Sequence, residues 1–182
     1  MYEKITLSGF AGSGKSTVGE LIADKLNFKF VSVGNFSREF AKKEFNMTIN
    51  EFQDKCKTDA SLDNLIDEKF KDFCNSNSNL IIDYRLGFRF VENAFHVFLS
   101  VSDEEAFNRI SKANRSGEEV SLEAIIKRNM DMKSRFIETY GVDFTDEKNY
   151  HIVIDVDNFE PKKVVEIIID AFKNFESNEG IS

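Results

Sequence analysis

Residues 9–16 read GFAGSGKS and fit the pattern G-x-x-x-x-G-K-[ST] without a mismatch. The motif sits between two patterns it requires. The apolar run Ile5–Ser8 reads as a buried strand, and Ser13 to Leu26 reads as a helix with Val18, Leu21, Ile22 and Leu26 on one face. Such a strand–loop–helix unit places a glycine-rich turn where its backbone can curl around an anion. Glycine tolerates backbone angles that other residues resist, so the N–H groups of Gly9, Ala11, Gly12, Ser13 and Gly14 can turn inward together. The helix after the loop directs its positive end at the same point. A glycine-rich turn with a surface lysine is the plainer alternative, and it leaves the flanking strand and helix unexplained.

The rest of the chain repeats the alternation. Strands are expected at Phe30–Ser32, Leu80–Asp83, Val97–Ser100 and His151–Asp155. Helices are expected over Phe36–Phe45, from Thr48 onward, around Leu62–Phe73, from Ser102 to about Asn114, over Leu122–Tyr140 and after Pro161. Thr48 with Glu51, and Ser102 with Glu105, have the spacing of capping boxes. Strands separated by helices predict a parallel sheet covered on both faces. The fold class expected is therefore α/β: a three-layer α/β/α P-loop NTPase architecture with a five-stranded parallel sheet. The 182 residues suit one domain over 1–182.

Composition narrows the function. Lys plus Arg is 24 against 32 Asp plus Glu, a net charge of −8, which argues against a nucleic-acid partner. No apolar run approaches the length of a membrane span, and MYEKITLSGF lacks a signal-peptide pattern, so a cytoplasmic location and no membrane partner are expected. Cys56 and Cys74 lie far apart in sequence and read as reduced thiols. His96 and His151 fall on strands beside apolar residues and read as packed side chains.

Phosphate chemistry then assigns candidates. In the loop, Lys15 reaches the β- and γ-phosphates and Ser16 ligates Mg²⁺, with Thr17 beside it, so ATP and Mg²⁺ are the expected cofactors. Ligands of such sheets sit beyond the carboxyl ends of the strands. Asp83 ends the third strand and can hold waters of the Mg²⁺ shell, and Arg85 can grip a phosphate bidentately. Arg38 comes after the second strand, within reach of an anion. Arg109, Arg115, Arg128 and Arg135 gather on two later helices and the turn between them, and Arg128 and Arg135 share a face. Arginines can stabilise the charge of a transferring phosphoryl group under a closing lid. Ion pairing with Glu123 and Asp131 is the alternative. Asp59 and Asp63 could face an acceptor base.

From Lys4 to about Phe175 the sequence resembles the nucleoside monophosphate kinases, most closely the short cytidylate kinases of archaeal type. The segments that carry the likeness are ITLSGFAGSGKSTV, FVSVGNFSREFA, TDASLDNLIDEKF, LIIDYRLGF, RNMDMKSRFIETYGVDF and HIVIDVDNFEPKKVVEII. The resemblance implies a helical monophosphate-binding arm at about 34–75 and a lid at about 110–135. It implies that Lys15, Arg85, Arg128 and Arg135 act in catalysis and that Arg109 lies at the adenine of ATP. It implies that Arg38, Asp59, Asp63 and Arg85 bind the monophosphate, with a carboxylate reading the exocyclic amine of cytosine. The implied reaction is ATP-dependent conversion of CMP or dCMP to its diphosphate, by a monomer. AMP, UMP or a small alcohol as acceptor, or nucleotide-driven assembly without turnover, are the other readings. Two positions depart from the family's usual pattern: Tyr84 stands where glycine is usual, and Asn35 where aspartate is frequent.

Overall fold

The computed structural model describes residues 3–58, 60–113 and 121–179. Arg115 and Asp59 lie outside the described residues, and so does the side chain of Asp63. The strands are β1 (Lys4–Ser8), β2 (Lys29–Ser32), β3 (Leu80–Asp83), β4 (Phe95–Ser100) and β5 (Ile152–Asp155). The helices are α1 (Lys15–Leu26), α2 (Val33–Phe45), α3 (Ile49–Thr58), α4 (Ala60–Asn75), α5 (Gly87–Phe90), α6 (Asp103–Ala113), α7 (Leu122–Tyr140) and α8 (Pro161–Glu179). A 3₁₀ turn at Glu147–Asn149 precedes β5. The strands form one sheet in the order β2-β3-β1-β4-β5, every pair parallel. The expected three-layer architecture is thus observed.

The central strand β1 is buried along its whole length, as a strand covered by helices on both faces must be. On one face Ile5, Leu7 and Val97 join Val18 and Ile22 of α1 and Val164, Ile168 and Phe172 of α8 in a single apolar cluster. On the other, Leu80, Ile82 and Phe98 meet Phe70 of α4, Leu86 and Phe144. Cys74 packs in this second cluster, where burial raises its thiol to about 12, so this cysteine is a packing residue. A third cluster holds α2, α3 and α4 together through Ala41, Phe52, Cys56, Leu62 and Ile66. This small core gives the region expected to be the arm its own packing.

Local chemistry sets the boundaries. Ser32 caps α2 by accepting from the Asn35 N–H at 3.1 Å, so the helix opens three residues before the apolar pattern suggests. At the start of α3, Glu51 accepts from the Thr48 N–H at 2.8 Å and the Thr48 hydroxyl accepts from the Glu51 N–H at 3.3 Å, a reciprocal capping box. The second expected box closes differently. Ser102 accepts from the Glu105 N–H, but the Ser102 N–H donates to Asp157 at 2.9 Å. Glu105 is thereby left to pair with Arg109 at 2.8 Å. α7 starts at the cap Ser121 and stops at Gly141, whose φ of 67° is the left-handed geometry that ends a helix.

Candidate functional site

The site is built around the turn between β1 and α1. Gly9, Gly12 and Gly14 all have positive φ. At Gly12 a side chain is excluded twice over, because a Cβ there would also lie 2.8 Å from the Ala106 backbone of α6. Lys15 is folded into the loop it belongs to. Its Nζ donates to the carbonyls of Gly9 at 2.8 Å and Phe10 at 2.9 Å, and to the Ser13 hydroxyl at 3.4 Å. Burial, reinforced by the charge of Arg85, lowers this ammonium to about 8. The ammonium's hydrogen bonds here go to neutral oxygens, with the Asp83 carboxylate acting on it only through space, and a polyphosphate would add negative charge in direct contact.

Asp83, at the end of β3, meets the first turn of α1. The Ser16 hydroxyl donates to its carboxylate at 3.0 Å. A hydroxyl and a carboxylate side by side are hard oxygens of the kind that could hold a Mg²⁺ ion together with phosphates and waters. Among the described residues no group of three or more His, Cys, Asp or Glu gathers to form a metal cage.

Arg85 lies two residues beyond Asp83, and its Nε donates to the Gly9 carbonyl at 3.2 Å. Behind it, the Ser8 hydroxyl donates to the Arg85 carbonyl at 2.8 Å. The arginine is thus tied to the phosphate loop through its side chain and to the end of β1 through its backbone. Burial depresses its pKa, the Asp83 carboxylate opposes that, and Arg128 adds to it. Arg128 therefore projects its charge onto the loop from α7, although it is itself exposed. Arg135, on the same helix, is exposed and is not among the described residues lining the cavity. Arg38 lines the cavity from α2, and its guanidinium donates to Asn35 at 2.8 Å. Asn35 thus supplies an acceptor for Arg38.

Lys15, Ser16, Asp83, Arg85 and Arg38 line one cavity of about 1110 Å³, whose described lining includes neither Arg128 nor Arg135. Ala11, Gly12, Ser13, Gly14, Lys15, Ser16 and Thr17 form its floor, with Asp83, Arg85 and Arg38 at one end. At the other end stand Arg109, Ile110 and the segment Val156–Pro161. Arg109 spans this wall, donating to Glu105 at 2.8 Å, to the Gly12 carbonyl at 3.4 Å and to the Val156 carbonyl at 2.6 Å. Sequence reasoning missed Asp157, Asn158 and Phe159. The position of this loop, just past the carboxyl end of β5, was the signal that could have found them. Phe159 is 42% exposed, an aromatic face open to the cavity.

The two histidines stand elsewhere. His96 lies at the amino end of β4, its Nδ1 2.7 Å from the Thr6 hydroxyl and its ring stacked on His151. Burial and His151 lower it to about 4, so it stays neutral. Tyr84 does not crowd the cavity. It is 4% exposed, packed against Phe70 and Phe90.

A central parallel strand, a phosphate loop, a Ser–Asp oxygen pair and arginines lining the same cavity define a P-loop protein with a kinase-type fold. Solved structures share the fold. A shikimate kinase from Bacteroides thetaiotaomicron superposes with a TM-score of 0.65 at 19% identity, covering 95% of this chain and 99% of the other. One from Aquifex aeolicus gives 0.60 at 24% identity, covering 95% and 98%. The chain belongs to the cytidylate kinase-like family, whose model matches residues 4–158. The cytidylate kinase of Archaeoglobus fulgidus is 33% identical over 92% of this chain and 93% of its own length. A protein of Lacinutrix mariniflava named an S-adenosylmethionine-dependent nucleotide dehydratase is 58% identical over 95% of this chain. The chain spans only 36% of that relative's length.

Proposed function

We propose that the chain transfers the γ-phosphoryl group of MgATP to a nucleoside monophosphate, with CMP or dCMP as the favoured acceptor. The observation that carries this reading is the hydrogen bond from Arg85 to the Gly9 carbonyl, which joins an acceptor-side guanidinium to the donor loop in one cavity. At about 1110 Å³ the cavity exceeds the usual volume of a single small-ligand pocket, up to roughly 1,000 Å³. A protein that merely binds a triphosphate has no need of Arg38 and Arg85 at the far end.

In this reading Lys15 and the loop amides hold the donor phosphates. Ser16 and Asp83 would hold Mg²⁺, which supplies neutralising charge between the phosphates when bound. Arg38 and Arg85 align the acceptor phosphate with the donor, and Arg128 and Arg135 come down from α7 to stabilise charge and exclude water. Val156–Phe159 and Arg109 border the donor base. The cytidylate preference rests on the family and on its archaeal relatives.

A second reading concerns the fate of the product. The relative from Lacinutrix mariniflava carries the name of a nucleotide dehydratase and matches this chain over about a third of its length. We propose that the phosphorylated nucleotide made here supplies a reaction that removes water from a nucleotide.

An ADP-release assay with CMP, dCMP, UMP, AMP and shikimate as acceptors tests the main reading. Turnover highest with the cytidylates is expected. ATP binding without turnover on any acceptor would reduce the protein to a nucleotide-driven assembly factor.

A further inference from the structure

Asp67 lies on α4, half-buried, and takes no part in phosphate or metal binding as proposed for this cavity. Its two carboxylate oxygens are taken by two phenols from different parts of the fold. The hydroxyl of Tyr84 donates to Oδ1 at 3.0 Å, and that of Tyr140 donates to Oδ2. Tyr84 immediately precedes Arg85, and Tyr140 is the last residue of α7, the helix that carries Arg128. One carboxylate therefore ties the arm to the acceptor turn and to the helix of the second arginine.

The linkage is stiff. On its backbone side Tyr84 donates to the Leu7 carbonyl at 3.2 Å, so the residue is pinned to β1 at one end and to α4 at the other. Its ring lies 5.2 Å from Phe70 and 6.1 Å from Phe90, and Phe90 meets Tyr140 at 5.5 Å. Burial and the Asp67 charge raise the Tyr84 pKa, so the phenol remains a donor. An apolar contact would fill this space as well as a carboxylate does. What the carboxylate adds is direction: each oxygen accepts one hydroxyl, and the angle between the two elements is thereby set.

We infer that Asp67 is a positioning residue for the acceptor phosphate: by holding the hydroxyls of Tyr84 and Tyr140 it fixes the turn bearing Arg85 relative to the helix bearing Arg128. The inference rests on the phosphotransfer reading for the identity of that phosphate. A role confined to stability would lower the melting temperature and leave the two substrates affected alike. A positioning role affects the monophosphate selectively.

The test compares Tyr84→Phe, Tyr140→Phe and Asp67→Asn with the unmodified protein. CMP and ATP binding are measured by calorimetry, KM values by ADP release, and melting temperatures alongside. CMP affinity and KM are expected to worsen about tenfold in each variant, with ATP values within about twofold. The double variant Tyr84→Phe/Asp67→Asn is expected to be worse by less than the sum of the two single effects, because both changes act on one shared hydrogen bond. Should Asp67→Asn fail to fold, Tyr84→Phe, which deletes one hydroxyl, decides. CMP values unchanged in the variants overturn the inference while leaving phosphotransfer intact. An unmodified protein that binds no monophosphate overturns both.

Discussion

The Nε of Arg85 lies 3.2 Å from the carbonyl oxygen of Gly9, the first residue of the phosphate loop. The phosphate loop and the guanidinium proposed to grip the acceptor therefore share a hydrogen bond. The Ser8 hydroxyl holds the Arg85 carbonyl as well, so backbone and guanidinium are each anchored. Preorganisation of this kind lowers the entropy that alignment would otherwise cost.

Removal of that guanidinium gives the first prediction. Arg85→Ala is expected to raise KM for the monophosphate about tenfold to a hundredfold, since a hydrogen bond to a charged group contributes about 1.5–3 kcal/mol. KM for ATP is expected to change far less. Steady-state kinetics with each substrate varied in turn check the split, and a normal monophosphate KM removes Arg85 from this role.

Lys15 gives a pH signature. Its ammonium is lowered to about 8 in the nucleotide-free protein, chiefly by burial, and a bound polyphosphate favours the charged form. ATP binding should therefore take up protons near pH 8 and weaken above it, by up to about tenfold per pH unit. The stability of the free protein moves the other way. Between about 8 and the ordinary value of 10.5 the unfolded chain holds more protons than the folded one, so this group makes stability rise with pH. Calorimetry at pH 7 and 9 and thermal melts over the same range check both signs. Lys15→Ala is expected to abolish turnover and to flatten both profiles.

Much of this was legible in the sequence, and the parts that were share a cause. The loop 9–16, the strand–helix alternation and the paired Asp83 and Arg85 are short-range patterns whose chemistry is complete within a few residues. The contacts that escaped are long-range. Nothing local marks Asp67 as the partner of Tyr84 and Tyr140, which lie 17 and 73 residues away. The capping spacing at Ser102 was real, yet Asp157 displaced Glu105 from half of it, because the loop after β5 arrives at the same N–H. α5 was not anticipated, since a four-residue helix leaves too short a pattern for periodicity to show. Arg128 and Arg135 both lie on α7 as expected, and Arg128 acts electrostatically on Lys15 and Arg85.

Gly12 offers a prediction on stability. A methyl group there meets Ala106 Cα at 2.8 Å, on backbone with φ of +83°. Gly12→Ala combines overpacking with left-handed strain, so a loss of about 2–4 kcal/mol is expected. Gly14→Ala, where φ is +84° and no atom lies within 4 Å of the added carbon, should lose only the strain of about 1–2 kcal/mol. Denaturant melts of the pair separate the two contributions, and equal losses would show that α6 yields to make room.

The last prediction concerns magnesium. The Ser16 hydroxyl donates to Asp83 at 3.0 Å, so each holds the other in place until a cation takes over the contact. Asp83→Asn keeps the shape and loses the charge. It should raise the Mg²⁺ concentration needed for half-maximal turnover by roughly tenfold and lower kcat, because the metal is drawn largely by that carboxylate and by the phosphates. Ser16→Ala removes a ligand and leaves the charge, so saturating Mg²⁺ should recover a larger fraction of activity than in Asp83→Asn. Titration of Mg²⁺ at fixed ATP in the three proteins provides the comparison. Identical magnesium dependence in all three would place the metal on the phosphates alone and leave the Ser16–Asp83 pair as a structural tie between β3 and α1.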